Sequence, residues 1–280
     1  MKQDKVIRTD KGPCAELYGR LRDLADSAAE LIYPTATYCI VCGNYVDSTR
    51  SYAICDHCIR RIEWGKLTID PREHSELLYG QSDEAADDLP DSVTGCFRYG
   101  LYGRRVVIEL KYNGHSYVAR VAAQMMADRV RSDPSAAQLL DCDIVAAVPI
   151  SRQKLKKRGF NQAEKLAKYF CRLTGMYHAQ NLLMRVKDTE ALRSLSPQER
   201  YMKLENAFAL DSRRLPRGSG DLHSEKPLKD MSILLIDDIY TTGATARHCT
   251  RLLKNAGASK VHLLVPATRD GAAEQSENEY

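Results

Sequence analysis

Two adjacent carboxylates, Asp237 and Asp238, follow an unbroken apolar run over 233–236 and precede Ile239, Tyr240 and the segment Thr241-Thr242-Gly243-Ala244-Thr245. Acids at the mouth of a buried strand are costly unless they meet water, a cation or hydroxyl donors. The small residues and threonines that follow open a helix. Its first N–H groups and positive end cradle a phosphate without needing a basic side chain. Carboxylates beside such a cradle suit a ligand with vicinal hydroxyls next to a phosphate, the arrangement found in ribose 5-phosphate. Gly243 would let the backbone approach closely, and Thr241, Thr242 and Thr245 would add hydroxyl bonds. No Gly-Lys-Ser/Thr follows, so this is not a Walker motif, and the glycine pattern of a dinucleotide site is missing too. The plain alternative is an ordinary strand–turn–helix capped by Thr241 or Thr242.

A second segment, 151–159, carries five basic residues and no acid. It follows the apolar run 143–150, so a basic loop there would share the sheet's carboxyl edge with the two aspartates. Arg152, Lys154 and Arg158 are then candidates for a second phosphate-rich group. Lys111 and Arg120 are candidates from the preceding element. A solvated helix start or a nucleic-acid patch are the alternatives for the same charges.

Four of the nine cysteines form Cys39-x2-Cys42-x12-Cys55-x2-Cys58. Each pair brings two thiolates to one tetrahedral metal, and a short loop closes one pair onto the other. Structural zinc is expected, with iron in the same four-sulfur set as the alternative. The knuckle contains few apolar residues, so metal must supply much of its folding free energy. The other cysteines, Cys14, Cys96, Cys142, Cys171 and Cys249, lie in apolar or helical patterns and are expected in the core.

The elements that must position these groups are legible from periodicity. A helical stripe over 14–33 should end at Pro34, giving an N-terminal helical segment 1–34 and a knuckle at 35–66. From Asp70 to Asp91 there are eight acidic residues and one basic residue, which suggests an acidic linker over 67–92. The main domain should span 93–270, before a flexible tail at 271–280. Strands are expected at 93–99, 143–150, 232–238 and 260–267. Helices are expected from the GRRVVIELKYNGH stretch, and over 116–131, 160–173, 196–205 and 243–255. In the fourth of these, Ser196 caps, Pro197 stands in the first turn and Glu199 completes a capping box. This alternation predicts an α/β fold with a mostly parallel sheet, whose ligands sit beyond the carboxyl ends of the strands.

Composition fits an ordinary soluble protein: 44% apolar, 28% charged and a net charge of +4. No apolar run nears the roughly 18 residues that a membrane span needs. The N-terminus lacks the apolar stretch of a secretory signal, so a cytoplasmic location is the default expectation.

ILLIDDIYTTGAT resembles the ribose-phosphate signature of type I phosphoribosyltransferases. Over about 31–268 the chain resembles the ComF competence-type family of such proteins. The residues that carry this are the paired CxxC, GRRVVIELKYNGH, DIVAAVPI, KRGFNQAEKLA, RVKDT, SPQER and NAF. It departs from the family pattern at Leu192, Lys203 and Ser151-Arg152. The resemblance implies a type I phosphoribosyltransferase-like sheet with helices on both faces, beside a four-cysteine zinc module. It implies that Asp237 and Asp238 bind ribose hydroxyls and that Thr241–Thr245 bind the 5-phosphate. The loop after Pro149 then faces pyrophosphate, with magnesium bridging pyrophosphate and ribose. A nitrogen nucleophile would displace pyrophosphate at C1, with Asp238, Arg152 and Lys154 nearest the chemistry. The competing reading is a non-catalytic nucleotide or pyrophosphate sensor that contacts DNA-processing or competence proteins, or single-stranded DNA.

Overall fold

A computed structural model describes residues 38–47, 52–79, 88–112, 116–187, 196–216 and 225–269. The helix expected over 14–33 and the tail after 270 lie outside the described residues. The elements are α1 (Asp56–Ile59), β1 (Trp64–Ile69), α2 (Pro71–Tyr79), β2 (Ser92–Arg98), α3 (Leu101–Tyr112) and α4 (Ser116–Ser132). Next come β3 (Ile144–Ala147), α5 (Arg152–Arg158), α6 (Gln162–Thr174), β4 (Leu183–Arg185), α7 (Pro197–Lys203) and β5 (Phe208–Leu210). The chain closes with β6 (Ser232–Ile236), β7 (Ile239–Tyr240), α8 (Ala244–Asn255) and β8 (Lys260–Thr268).

The main sheet has the order β1-β2-β8-β6-β3, and β7 pairs with β8. Every pairing is parallel except β1 with β2. In β3 all four residues are buried, as are Ile233–Ile236 of β6. Successive side chains in a strand point to opposite faces, so burial of every one means that both faces are covered. On one side α4 and α6 pack on each other and on the strands, while α8 lies against β8, α7 and β5. The outer edge of β3 is closed by residues 177–179: Val145 N–H donates to the Tyr177 carbonyl and its own carbonyl accepts from Ala179 N–H.

The sequence and the structure differ at two places that bear on the site. The basic segment is a helix, α5, rather than a loop. Ser151 caps it, accepting from Lys154 N–H at 3.3 Å, and Gly159 ends it in the left-handed conformation at φ 77°. Arg, Gln, Lys and Leu, none of them branched at Cβ, are good helix formers, so cap and composition together outweigh the charge repulsion. The segment expected as knuckle end and acidic linker contains β1 and α2. Pairing with β2 gives 64–69 a ladder that the exposed acids further on did not advertise. The antiparallel β4–β5 pair was not anticipated, because three-residue strands are too short to show a period.

The knuckle shares the main core. Ile40, Val46, Ala53, Ile54 and Ile62 join one apolar cluster with Phe97 and Val118. Trp64 stands between Tyr52 and Phe97, with ring centroids 6.3 and 5.9 Å away. Tyr52 donates its hydroxyl to Asp128 of α4 at 2.8 Å.

Candidate ribose-phosphate site and four-cysteine cluster

The two aspartates occupy a gap in the ladder. Ile236 pairs with Leu264 and Ile239 with Ala267, the same offset on either side of the gap. Asp237 N–H still donates to the Leu264 carbonyl, at 3.3 Å. The next rung would come from residue 266, which is proline and has no N–H to give. The backbone therefore passes straight through, while both carboxylates are held at the strand's carboxyl end. Asp237 Oδ1 accepts from Asp238 N–H at 2.7 Å. Burial first, and the charge of Asp238 second, push Asp237 up to about 8; the Asp238 N–H, Lys111 and Lys154 act the other way. Lys111 Nζ, from the last turn of α3, lies 3.4 Å from Asp238 Oδ2.

Beyond β7 the chain turns through Gly243 at φ 72° into α8. That angle suits glycine, and an added Cβ would stand 2.8 Å from the Tyr240 hydroxyl. Tyr240 is buried and its ring lies 4.9 Å from that of His74 on α2. The helix cap is Gly243 itself, with no side-chain hydrogen bond, rather than Thr241 or Thr242. The first backbone bond of the helix runs from Arg247 N–H to the Gly243 carbonyl. First-turn N–H groups have no partner within the helix and so face outward, as an anion site requires. Asp237, Thr241, Thr242, Gly243, Ala244 and Thr245 line one small depression of about 50 Å³. A larger cavity of about 760 Å³, lined by Ile69, Asp91 and Lys254 among others, lies at the opposite strand ends, away from the acids.

A cationic wall faces the acids. Lys154 is exposed as a residue, yet desolvation lowers its pKa, with Arg185, Arg158 and Lys111 acting the same way and Asp238 opposing. Arg158 lies over the Tyr112 ring at 5.4 Å and donates to Gln162 Oε1 at 3.0 Å. Arg152 is exposed at the first position of α5. Arg120 stands exposed on α4. Arg185 and Gln162 had no role assigned from the sequence. Both lie in stretches that carry the family resemblance, RVKDT and KRGFNQ, which was the signal available.

The cysteines converge. The sulfurs of Cys39, Cys42, Cys55 and Cys58 all lie within 4.8 Å of one another, and Cys42 and Cys55 are 3.7 Å apart. Zinc–sulfur bonds of about 2.3 Å in a tetrahedron imply sulfur–sulfur edges of roughly 3.8 Å, so the donor set fits. Burial opposes ionisation of Cys39, but N–H groups of Cys55, Cys42 and Val41 outweigh it and bring the thiol down to about 7. Of the remaining cysteines, Cys96, Cys142, Cys171 and Cys249 are buried as expected; Cys14 lies outside the described residues.

A mostly parallel α/β sheet with acids and an uncapped helix start at one strand end defines a type I phosphoribosyltransferase-like protein. Residues 156–280 match the Phosphoribosyl transferase domain family. Over 229 residues the chain is 27% identical to Competence protein F of Haemophilus influenzae, covering 80% of this chain and 88% of that protein. It is 25% identical over 216 residues to DNA utilization protein YhgH of Escherichia coli K12, covering 76% and 88%. It is 32% identical over 114 residues to Competence protein ComFC of Streptococcus pneumoniae, covering 41% and 43%. With the fold and the cysteine cluster, these matches make the chain similar to ComF-type, phosphoribosyltransferase-like proteins. Among the described residues no helix is long and apolar enough to cross a membrane.

Proposed function

We propose that the strand-end site binds phosphoribosyl pyrophosphate with magnesium, and that the four cysteines hold a structural zinc. The observation that carries the first reading is the pair Asp237–Asp238, set between an uncapped helix start and a cluster of cations. In it the carboxylates accept from the ribose hydroxyls, Thr241–Thr245 hold the 5-phosphate, and Lys111, Arg152, Lys154 and Arg158 face the pyrophosphate. Carboxylate and phosphate oxygens are hard donors that suit magnesium. Asp237 and Asp238, together with the ligand's own oxygens, would hold that ion, which would supply positive charge to offset the charge developing on the leaving group. The reaction such an arrangement serves is displacement of pyrophosphate at C1 by a nitrogen nucleophile. Positioning and electrostatic stabilisation carry it, and Asp238 orients the acceptor or takes its proton. The names Competence protein F and DNA utilization protein YhgH, carried by relatives, support a competence or DNA-utilization role for this chain.

A proton should leave when the ligand binds. With Asp237 raised to about 8, its carboxyl holds a proton at neutral pH, whereas ribose hydroxyls donate to the ionised form. Affinity should therefore rise with pH, by up to about tenfold per unit until pH reaches that value. Titration calorimetry in two buffers of different ionisation enthalpy measures the released proton. Asp237→Asn should remove that part of the pH dependence, leaving only what the phosphates contribute. An identical pH profile in wild type and Asp237→Asn would take Asp237 out of the ribose subsite.

A further inference from the structure

We infer that Gln162 is a positioning residue for the pyrophosphate half of the ligand, acting through Lys111 and Arg158. The inference rests on the phosphoribosyl pyrophosphate reading above and assigns work to a residue that touches none of the acids.

Gln162 is the first residue of α6 and is 1% exposed. A buried carboxamide must find partners for both ends. Here each end is committed to a different element: Oε1 accepts from Arg158 Nη1 of α5 at 3.0 Å, and Nε2 donates to the Lys111 carbonyl of α3 at 3.4 Å. The orientation is fixed by chemistry, since a guanidinium only donates and a carbonyl only accepts. The next residue back makes the anchor rigid. Asn161 caps α6, accepting from Ala163 N–H at 3.1 Å, and donates its own Nδ2 to the Val148 carbonyl just beyond β3 at 3.0 Å. The start of α6 is thus tied to the central sheet, and Gln162 extends from that tie to the two cations.

Both cations act at the site. Lys111 pairs with Asp238, and Arg158 and Lys111 are among the charges felt by Lys154. Lys111 is in the last turn of α3, where a helix has carbonyls without internal partners. The Gln162 bond holds that end, and with it the backbone from which the Lys111 side chain reaches Asp238. Without the amide, Arg158 loses a fixed acceptor and the end of α3 loses its tether. The acids and the phosphate cradle lie along the run from β6 through β7 to the start of α8, which Gln162 does not touch through these bonds.

The separation of subsites gives the test. Gln162→Met keeps length and volume and removes both hydrogen bonds; Gln162→Asn keeps the amide but is one methylene too short to span the two partners. Magnesium-containing calorimetry would compare phosphoribosyl pyrophosphate, inorganic pyrophosphate and ribose 5-phosphate on zinc-loaded full-length protein. In either variant the first two ligands should weaken by about tenfold, as expected for losing a buried bond beside charge. Ribose 5-phosphate should stay within about twofold of wild type. A second substitution, Lys111→Ala, should then add less than its effect in the wild-type background, because the two share one route. Equal weakening of all three ligands would mark Gln162 as a general structural residue and overturn the inference. Unchanged binding of all three would overturn it as well. A wild type that binds none of the three would instead sink the ribose-phosphate reading, and this inference with it.

Discussion

Cys58→Ser should release the metal and loosen the knuckle from the sheet. Cys58, one of the four clustered sulfurs, is 0% exposed, and a serine hydroxyl is a poor substitute for a thiolate on zinc. The cost does not stay within the loop. Ile54 and Ile62, 1% and 3% exposed, are part of the same apolar cluster as Phe97. Re-exposing such side chains costs about 1.5–3 kcal/mol each, so the pair alone gives at least about 3 kcal/mol. For a chain of this size that corresponds to a fall in Tm of about 6–12 °C. Elemental analysis and a thermal melt on the same sample check both parts. A zinc-free Cys58→Ser protein with the wild-type Tm would mean that the knuckle's packing on the core needs no metal.

Gly243→Val carries the second large effect. A β-branched residue at φ 72° pays about 1–2 kcal/mol for the left-handed backbone. The new Cβ would also stand 2.8 Å from the hydroxyl of Tyr240, a buried ring backed by His74. Relief requires moving either that ring or the turn, at about 1–3 kcal/mol. The sum is roughly 2–5 kcal/mol of stability. Whatever gives way, the first-turn N–H groups of α8 lose their aim, so phosphate binding should fall at least about tenfold. Chemical denaturation and binding of ribose 5-phosphate measure the two separately. Gly243→Val that keeps full affinity would show that the turn is not the phosphate cradle.

These two positions also show what was legible before any coordinates. Gly243 and the aspartates stand in a short stretch where apolar run, acids and small residues succeed one another, so their chemistry is local. The cysteine spacing is local in the same sense. What sequence reading missed depends on contacts distant along the chain. Trp64–Ile69 became a strand because β2 offers an open edge, and nothing within 64–69 announces that partner. Likewise α2, inside an acid-rich stretch, carries the His74 that supports Tyr240. The basic segment was misread as a loop because its charge was given more weight than Ser151 and Gly159, which frame α5 at either end. Pro266 was visible as a residue, but its effect on the ladder appears only once it stands beside Asp237. Gln162 stands in a motif that gives it no role by itself, because its two partners come from α3 and α5.

The central claim is that Asp237 and Asp238 with the following turn hold a ribose phosphate. The most direct measurement is calorimetric titration of magnesium and phosphoribosyl pyrophosphate into zinc-loaded wild type and into the Asp237→Asn/Asp238→Asn double variant. The wild type should show saturable, magnesium-dependent binding, lost in a double variant that keeps its zinc and its fold. No binding by well-folded wild type, or equal binding by both proteins, would contradict it.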